Sequence, residues 1–183
     1  MLRKIAILCA ALVTMTLAGC GYNDLQRQDE GIKAAWSEVL NQYQRRADLV
    51  PNLVNTVKGY AAHEQATFEK VIAARNVAMN AQAGEAKAKA ENALSETLKS
   101  IFALAEAYPD LKANQNFLEL QRELTDTEDK IQASRRFYNG NVRDFNTAIE
   151  VFPTNLIANM LGFKGREFFA ADESEKDPVK VKF

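Results

Sequence analysis

The stretch QRRADLVPNLVNTVKGYAAHE, residues 44–64, decides the fold. Ala47, Val50, Val54 and Val57 fall three and four residues apart, the spacing of one helix face. A proline, two asparagines and paired arginines set polar groups of defined hydrogen-bonding geometry beside that apolar stripe. Extended backwards, the same spacing gathers Leu25, Ile32, Trp36, Val39 and Tyr43, and the stripe passes Pro51 without a change of phase. Two readings of Pro51 follow. Inside a helix a proline costs about 3 kcal/mol and clashes with the preceding turn, so one long helix would kink there. In the other reading Asp48 caps a new helix with Pro51 in its first turn, where no amide bond is lost. The unbroken phase favours a single kinked helix. Gly59, with Lys58 in the last turn, reads as its stop.

Three further helices follow from the same periodicity. The second runs from about Ala62 to Gln82, with Phe68, Ile72, Arg75 and Met79 along one side, and Gly84 marks the next turn. Glu85 to Ala107 is rich in alanine, glutamate and lysine, all strong helix formers, and carries Leu94, Leu98, Ile101 and Ala105 as its stripe before Tyr108-Pro109-Asp110 stops it. A fourth, long helix runs from about Leu111 or Asn114 to Glu150 on Phe117, Leu120, Leu124, Ile131, Tyr138, Val142, Phe145 and Ile149. Amphipathic helices joined by short turns bury their stripes at least cost as a bundle. The expected fold is therefore all-α: an antiparallel four-helix bundle with long first and fourth helices, preceded by a lipoprotein signal segment. In this layout the anchor and the end of the fourth helix share one end of the rod.

Ahead of the bundle, Arg3 and Lys4 give a basic start, Ile5 to Ala18 is apolar, and Leu17-Ala18-Gly19-Cys20 closes the segment. A short apolar region ending in small residues marks an export signal, and this one resembles the lipobox of bacterial lipoproteins, in which Cys20 becomes the acylated first residue, carrying palmitate or similar chains. An uncleaved membrane helix is the runner-up, against which the run falls short of the ~20 residues needed to span a bilayer. Either way the remainder faces outside the cytoplasm. Residues 1–19 are then a signal peptide, 20–150 the bundle, and 151–183 a C-terminal apolar segment and tail. Cys9 and Cys20 are the only cysteines, so the exported domain stands without disulfides. With 23 basic and 24 acidic residues interleaved along the helices, nothing recommends nucleic acid as a partner.

Beyond Glu150 apolar residues crowd together as Val151-Phe152-Pro153-Thr154-Asn155-Leu156-Ile157-Ala158-Asn159-Met160-Leu161-Gly162-Phe163, then Phe168-Phe169. Asn155 to Leu161 is short enough for one or two helical turns. The expectation is that Phe152, Leu156, Ile157, Met160, Leu161, Phe163, Phe168 and Phe169 dock against the ends of the two long helices and are buried there, with contact to lipid as the alternative. Asp172 to Asp177 is acidic and reads as mobile, and the alternating Val179, Val181 and Phe183 suit either an edge strand or a docking tail.

Arg45-Arg46-Ala47-Asp48-Leu49-Val50-Pro51-Asn52-Leu53-Val54, Val57-Lys58-Gly59-Tyr60-Ala61, His63-Glu64 and Ala74-Arg75 together resemble the signature of the LemA family. Tyr138-Asn139, Phe145-Asn146, Phe152-Pro153-Thr154-Asn155 and Gly162-Phe163 resemble its closing half. The resemblance implies a bacterial, membrane-tethered domain with a four-helix core and no established enzymatic activity. Many members keep the N-terminal segment as a membrane helix, whereas the Leu17 to Cys20 box here points to a lipid anchor.

Chemistry is sparse. His63 is the only histidine, so neither a zinc-protease helix nor a ferritin-like di-iron site can be assembled. Carboxylates at Glu64, Glu69, Glu106, Asp126, Glu128 and Asp129 read first as solvated helix faces and only second as metal ligands. No Ser-His-Asp set, Gly-rich phosphate loop or C-x-x-C pair is present. The expectation is a non-enzyme with no cofactor, no metal, no catalytic residue and no small-molecule substrate. Arg45, Arg46, Asp48, Asn52 and Asn55 form the candidate partner-binding patch. Their bland reading is local: Asp48 pairs with Arg45 one turn away, and the asparagines satisfy backbone groups that Pro51 frees. Arg135 and Arg136, on the fourth helix, either extend the patch or neutralise nearby acids. The function expected is a membrane-anchored envelope scaffold or adaptor engaging another envelope or membrane protein. Gly21 beside the acylated cysteine favours the periplasmic face of the outer membrane where the host has one. The alternative is a self-assembling coat that organises the membrane, and a hydrolase is the distant third.

Overall fold

α1 is a single helix from Leu2–Lys58 with Pro51 inside it, so the chain does not begin a new helix at Asp48. The computed structural model describes residues 2–169, and their side chains from residue 21 onward. The export segment read at 1–19 and the acylation read at Cys20 lie outside the described side chains; the acidic stretch and the alternation at Val179, Val181 and Phe183 lie outside the described residues. After α1 come α2 (Gln65–Asn80), α3 (Glu85–Ala105), the short α4 (Pro109–Lys112), α5 (Gln115–Glu150) and α6 (Thr154–Leu161). Every element among the described residues is helical. Gly59 and Tyr60 form the turn that ends α1, as their composition requires. Gly84 holds φ at +98° immediately before α3, a backbone conformation that only glycine adopts without strain.

α4 departs from expectation. Tyr108-Pro109-Asp110 does stop α3, but Pro109 occupies the first turn of a new helical turn, where its missing amide hydrogen costs nothing. α2 departs in phase: Phe68, Val71 and Ala78 are its buried residues, whereas Ile72 and Met79 are about 40 % exposed. The segment carries apolar residues on both sides, and spacing alone could not choose between them.

The chain divides into two compact units. Among the described residues, unit 1 comprises those up to 37 together with 136–168, and unit 2 comprises 38–135 and Phe169. In unit 2, Val50, Leu53, Val54 and Val57 of α1 join Phe68, Val71 and Ala78 of α2, Leu94, Leu98 and Ile101 of α3, Leu111 of α4, and Phe117 and Leu124 of α5 in one buried cluster. Burying such side chains supplies the main driving force, at about 25 cal/mol per Å² of apolar area removed from water.

Unit 1 has a smaller core of Leu25, Ile32, Val142, Phe145 and Ala158, with Tyr138, Ile149 and Phe163 packed against it. Phe145 meets Phe163 at 6.2 Å and Trp36 meets Tyr138 at 5.6 Å between ring centroids. A polar clasp ties residues 163–168 to this core. Arg166 donates to Asp29 Oδ1 from Nη2 at 2.6 Å and from Nε at 3.0 Å. Its backbone is held by Asn146, whose Oδ1 accepts from the Arg166 amide at 2.8 Å and whose Nδ2 donates to the Arg166 carbonyl at 2.9 Å. Tyr138 donates to the Glu167 carbonyl.

Burial alone would push the Asp29 carboxyl up, but hydrogen bonds from Lys33 and Arg166 and the charges of both outweigh it and hold the group below its ordinary 3.8. A carboxyl lowered by folding contributes stability that is fully present above its unfolded value and is lost as pH falls through the folded one. Asp29→Asn should therefore lower the melting temperature at neutral pH and flatten its decline below about pH 4. Thermal melts from pH 2 to 7 test this, and superimposable acid limbs would show that the clasp does not contribute.

Candidate functional site

The residues that single out the 44–64 stretch divide by helix face. Asn41, Arg45, Asp48, Asn52 and Asn55, at intervals of three and four, are exposed along one line of α1. The next residue round, Arg46, is 1 % exposed and belongs to the core of unit 2. Its place in the candidate partner-binding patch is therefore corrected: the guanidinium is consumed inside the protein. Nη2 donates to the Glu91 carboxylate at 2.7 Å and to the Glu91 backbone carbonyl at 2.9 Å, and Nη1 donates to Glu128 and to Ser95 Oγ. Lys87 pairs with the other Glu91 oxygen at 3.1 Å and donates to the Ala78 carbonyl at 2.6 Å. Two cations and two carboxylates thus compensate one another, and Glu91 is only 2 % exposed. A planar fork with five donors suits this role better than a lysine would.

Arg135 extends the same polar interior. It donates from Nε to the Tyr43 hydroxyl at 2.9 Å and from Nη2 to Asn92 at 2.7 Å, and its guanidinium stacks over the Tyr43 ring. Burial pushes the Tyr43 phenol above its ordinary 10, so it stays neutral, and its oxygen accepts the hydrogen bond from Arg135. Arg136 is exposed.

Pro51 leaves one specific debt. With no amide hydrogen, it cannot bond the carbonyl of Ala47 one turn earlier, and Ala47 is 3 % exposed. Arg75 of α2 answers it, donating from Nε to that carbonyl at 2.6 Å. The asparagines were expected to serve this purpose and do not reach the freed group; near Pro51 the Thr56 hydroxyl bonds the Asn52 carbonyl. Asp48 likewise takes its hydrogen bond from Gln44 at 2.8 Å rather than pairing with Arg45. Arg45 sits close enough to Asp126 to help lower that carboxyl, after the hydrogen bond from Lys130.

A cleft of about 560 Å³ opens beside the buried charges, lined by Asn92, Ser95, Leu98 and Phe102 of α3, Leu124, Glu128 and Asp129 of α5, and Arg46. Of the carboxylates considered as metal ligands, Glu128 serves Arg46, Asp126 serves Lys130, Glu106 serves Lys112, Glu64 accepts from Tyr108 and Glu69 accepts from Gln65. His63 lies exposed beyond the end of α1. The arrangement holds helices together and displays a polar stripe; the Ser95 hydroxyl, which donates to Glu128 at 3.3 Å and accepts from Arg46, is part of the same network.

Glu91, Lys87 and Ser95 were not anticipated, and Glu128 was weighed only as a solvated carboxylate or metal ligand. Lys87 and Glu91 nonetheless continue the spacing of Leu94, Leu98, Ile101 and Ala105 backwards along α3. A charged pair in phase with an apolar stripe, one turn apart, was the available signal. The alanine-, glutamate- and lysine-rich composition around it masked that signal.

Among the described residues no helix is long and apolar enough to cross a membrane. The profile of the LemA family matches residues 35–183. The protein LemA of Metamycoplasma hominis is 28 % identical over 158 residues, covering 86 % of this chain and 72 % of that protein. The magnetosome protein MamQ of Magnetospirillum gryphiswaldense is 24 % identical over 184 residues, covering 86 % of this chain and 68 % of that protein. The magnetosome protein MamQ 2 of Paramagnetospirillum magneticum matches over the same shares at 24 % identity.

Proposed function

The chain belongs to the LemA family, and from that premise we propose that it is a non-enzymatic scaffold or adaptor of the bacterial envelope, held on a membrane by lipid on Cys20. It faces outside the cytoplasm, on the periplasmic face of the outer membrane where the host has one. Its working part is an antiparallel four-helix core in which α1 and α5 are the long members. The observation that carries this reading is the sorting of polar residues on α1. The arginine suited to chemistry is buried and neutralised, while Arg45, Asp48, Asn52 and Asn55 are left exposed in a line with a proline beside them. In this reading the row of short amides and charges on α1 forms hydrogen bonds to another protein, as a polar interface rim does.

A photo-reactive residue at Asn52 in intact cells tests the proposal. It should cross-link to another envelope or membrane protein, and Arg45→Ala with Asp48→Ala should weaken that product. The same probe at the exposed Lys89 of α3 should leave it unformed. Products containing only further copies of this chain would turn the reading to a self-assembling coat, and no product at all would overturn it.

A further inference from the structure

Unit 1 leaves apolar surface open where burial was expected. Phe152 is 78 % exposed, Leu156 61 %, Met160 76 % and Leu161 49 %, with Val151 and Phe168 close to half exposed. Of the apolar residues expected to dock, Phe169 is buried and Ile157 and Phe163 are partly so. The expectation that the segment buries itself fails because α6 has too many apolar sides. Ala158 is already buried among Leu25, Ile32, Val142 and Phe145, and Gly162 in the left-handed conformation ends the helix there. Leu156 and Met160, with Phe152 just ahead of the helix, fall at intervals of four and line the outer side. Together with their neighbours they expose on the order of 500 Å², at the upper end of what a soluble monomer leaves open.

The position of α6 says what covers it. Ile157 Cδ1 lies 3.0 Å from where a Cβ on Gly21 would stand, so α6 packs closely against α1 there, and a larger residue at 21 would make Ile157 shift. Gly21 directly follows Cys20, and the apolar run Ile5 to Ala18 ends three residues earlier in the chain. α6 therefore lies at the end of unit 1 where α1 leads back from Gly21 to Cys20. Tyr22, 42 % exposed beside Phe163, and the exposed Lys164 flank the patch with an amphipathic ring and a snorkelling cation.

We propose that α6 is an interfacial membrane helix: Phe152, Leu156, Met160 and Leu161 enter the boundary between headgroups and acyl chains beside the point where the N-terminus is anchored. This rests on the membrane-anchored reading above. The tether brings the patch to lipid, and the patch in turn fixes how unit 1 stands on the surface.

The full chain, extracted from the membranes of expressing cells and reconstituted into phosphatidylcholine–phosphatidylglycerol vesicles brominated near the headgroups, tests both readings. Flotation reports anchoring. With the emission of Trp36 in the unaltered chain subtracted, Met160→Trp and Leu156→Trp should each lose most of their emission to bromine. Phe137→Trp should not, because Phe137 is exposed about 20 Å back along α5 from Glu150 at 1.5 Å per residue. Vesicles that float with the tryptophans at 156 and 160 unquenched overturn the proposal and leave anchoring standing. Blue-shifted, unquenched emission with a doubled mass would give the patch to a second copy and overturn it equally. Quenching at position 137 as well would overturn the local placement, and failure to float would remove the anchor and the proposal together.

Discussion

Arg46→Ala should be the most damaging single substitution in unit 2, costing about 3–5 kcal/mol, the usual effect of stripping one partner from a buried ion pair. The cause is what remains behind. The Glu91 carboxylate keeps only Lys87, and both it and the Glu91 backbone carbonyl lose the guanidinium that served them. Glu128, about one-third exposed, can turn to water and suffers less. For a domain of this size the loss corresponds to a fall in melting temperature on the order of 10 °C. Arg46→Lys should recover part of it, since an ammonium restores charge but cannot reach Glu91, Ser95 and Glu128 at once. Arg45→Ala, one residue earlier and exposed, should stay within about 0.5 kcal/mol of the unaltered chain. Chemical denaturation of the three variants decides the matter, and equal, small effects at 45 and 46 would refute the buried network.

The second large effect is a coupling. Arg75→Ala should cost about 1–3 kcal/mol by leaving the Ala47 carbonyl buried without a donor. Pro51→Ala alone should hold or raise stability, because residue 51 regains an amide that bonds the same carbonyl. In the Pro51→Ala background the loss from Arg75→Ala should therefore shrink by about 1 kcal/mol or more, a double-mutant interaction between groups that need never touch. Midpoints in urea with an unchanged dependence on denaturant give the numbers. Strict additivity would show that the carbonyl is satisfied some other way.

These residues mark the reach of sequence reading. The helical class, the end of α1 at Lys58 and the approximate limits of α3 and α5 follow from apolar spacing and from Gly59, Gly84 and Pro109, which act locally, whereas the start of α1 at Leu2 does not. Continuity through Pro51 followed from unbroken phase. Legibility stops where an outcome depends on a distant partner. Whether Arg46 faces water or Glu91 turns on α3, and whether Pro51 strains its helix turns on Arg75 of α2. The periodicity of α1 contains neither fact. The apolar residues after Glu150 are expected to bury themselves and mostly do not, because counting side chains does not show that Ala158, with Ile157 and Phe163 beside it, suffices to seat α6.

The charge network between α1, α3 and α5, with Arg46, Lys87 and Glu91 buried, also bears on alignment. α3 presents Ala88, Ala90 and Ala105 to the core beside its larger residues, and a surface so smooth would let the helix slide by a turn with little change in apolar contact. Sliding would carry Glu91 away from Arg46 and leave two ions facing hydrocarbon, which the interior does not tolerate. The network thus acts as a key in a lock of alanines. A variant with Arg46, Lys87, Glu91 and Glu128 all made apolar is expected to melt no lower than the native chain, yet to show several sets of methyl resonances where the native protein shows one.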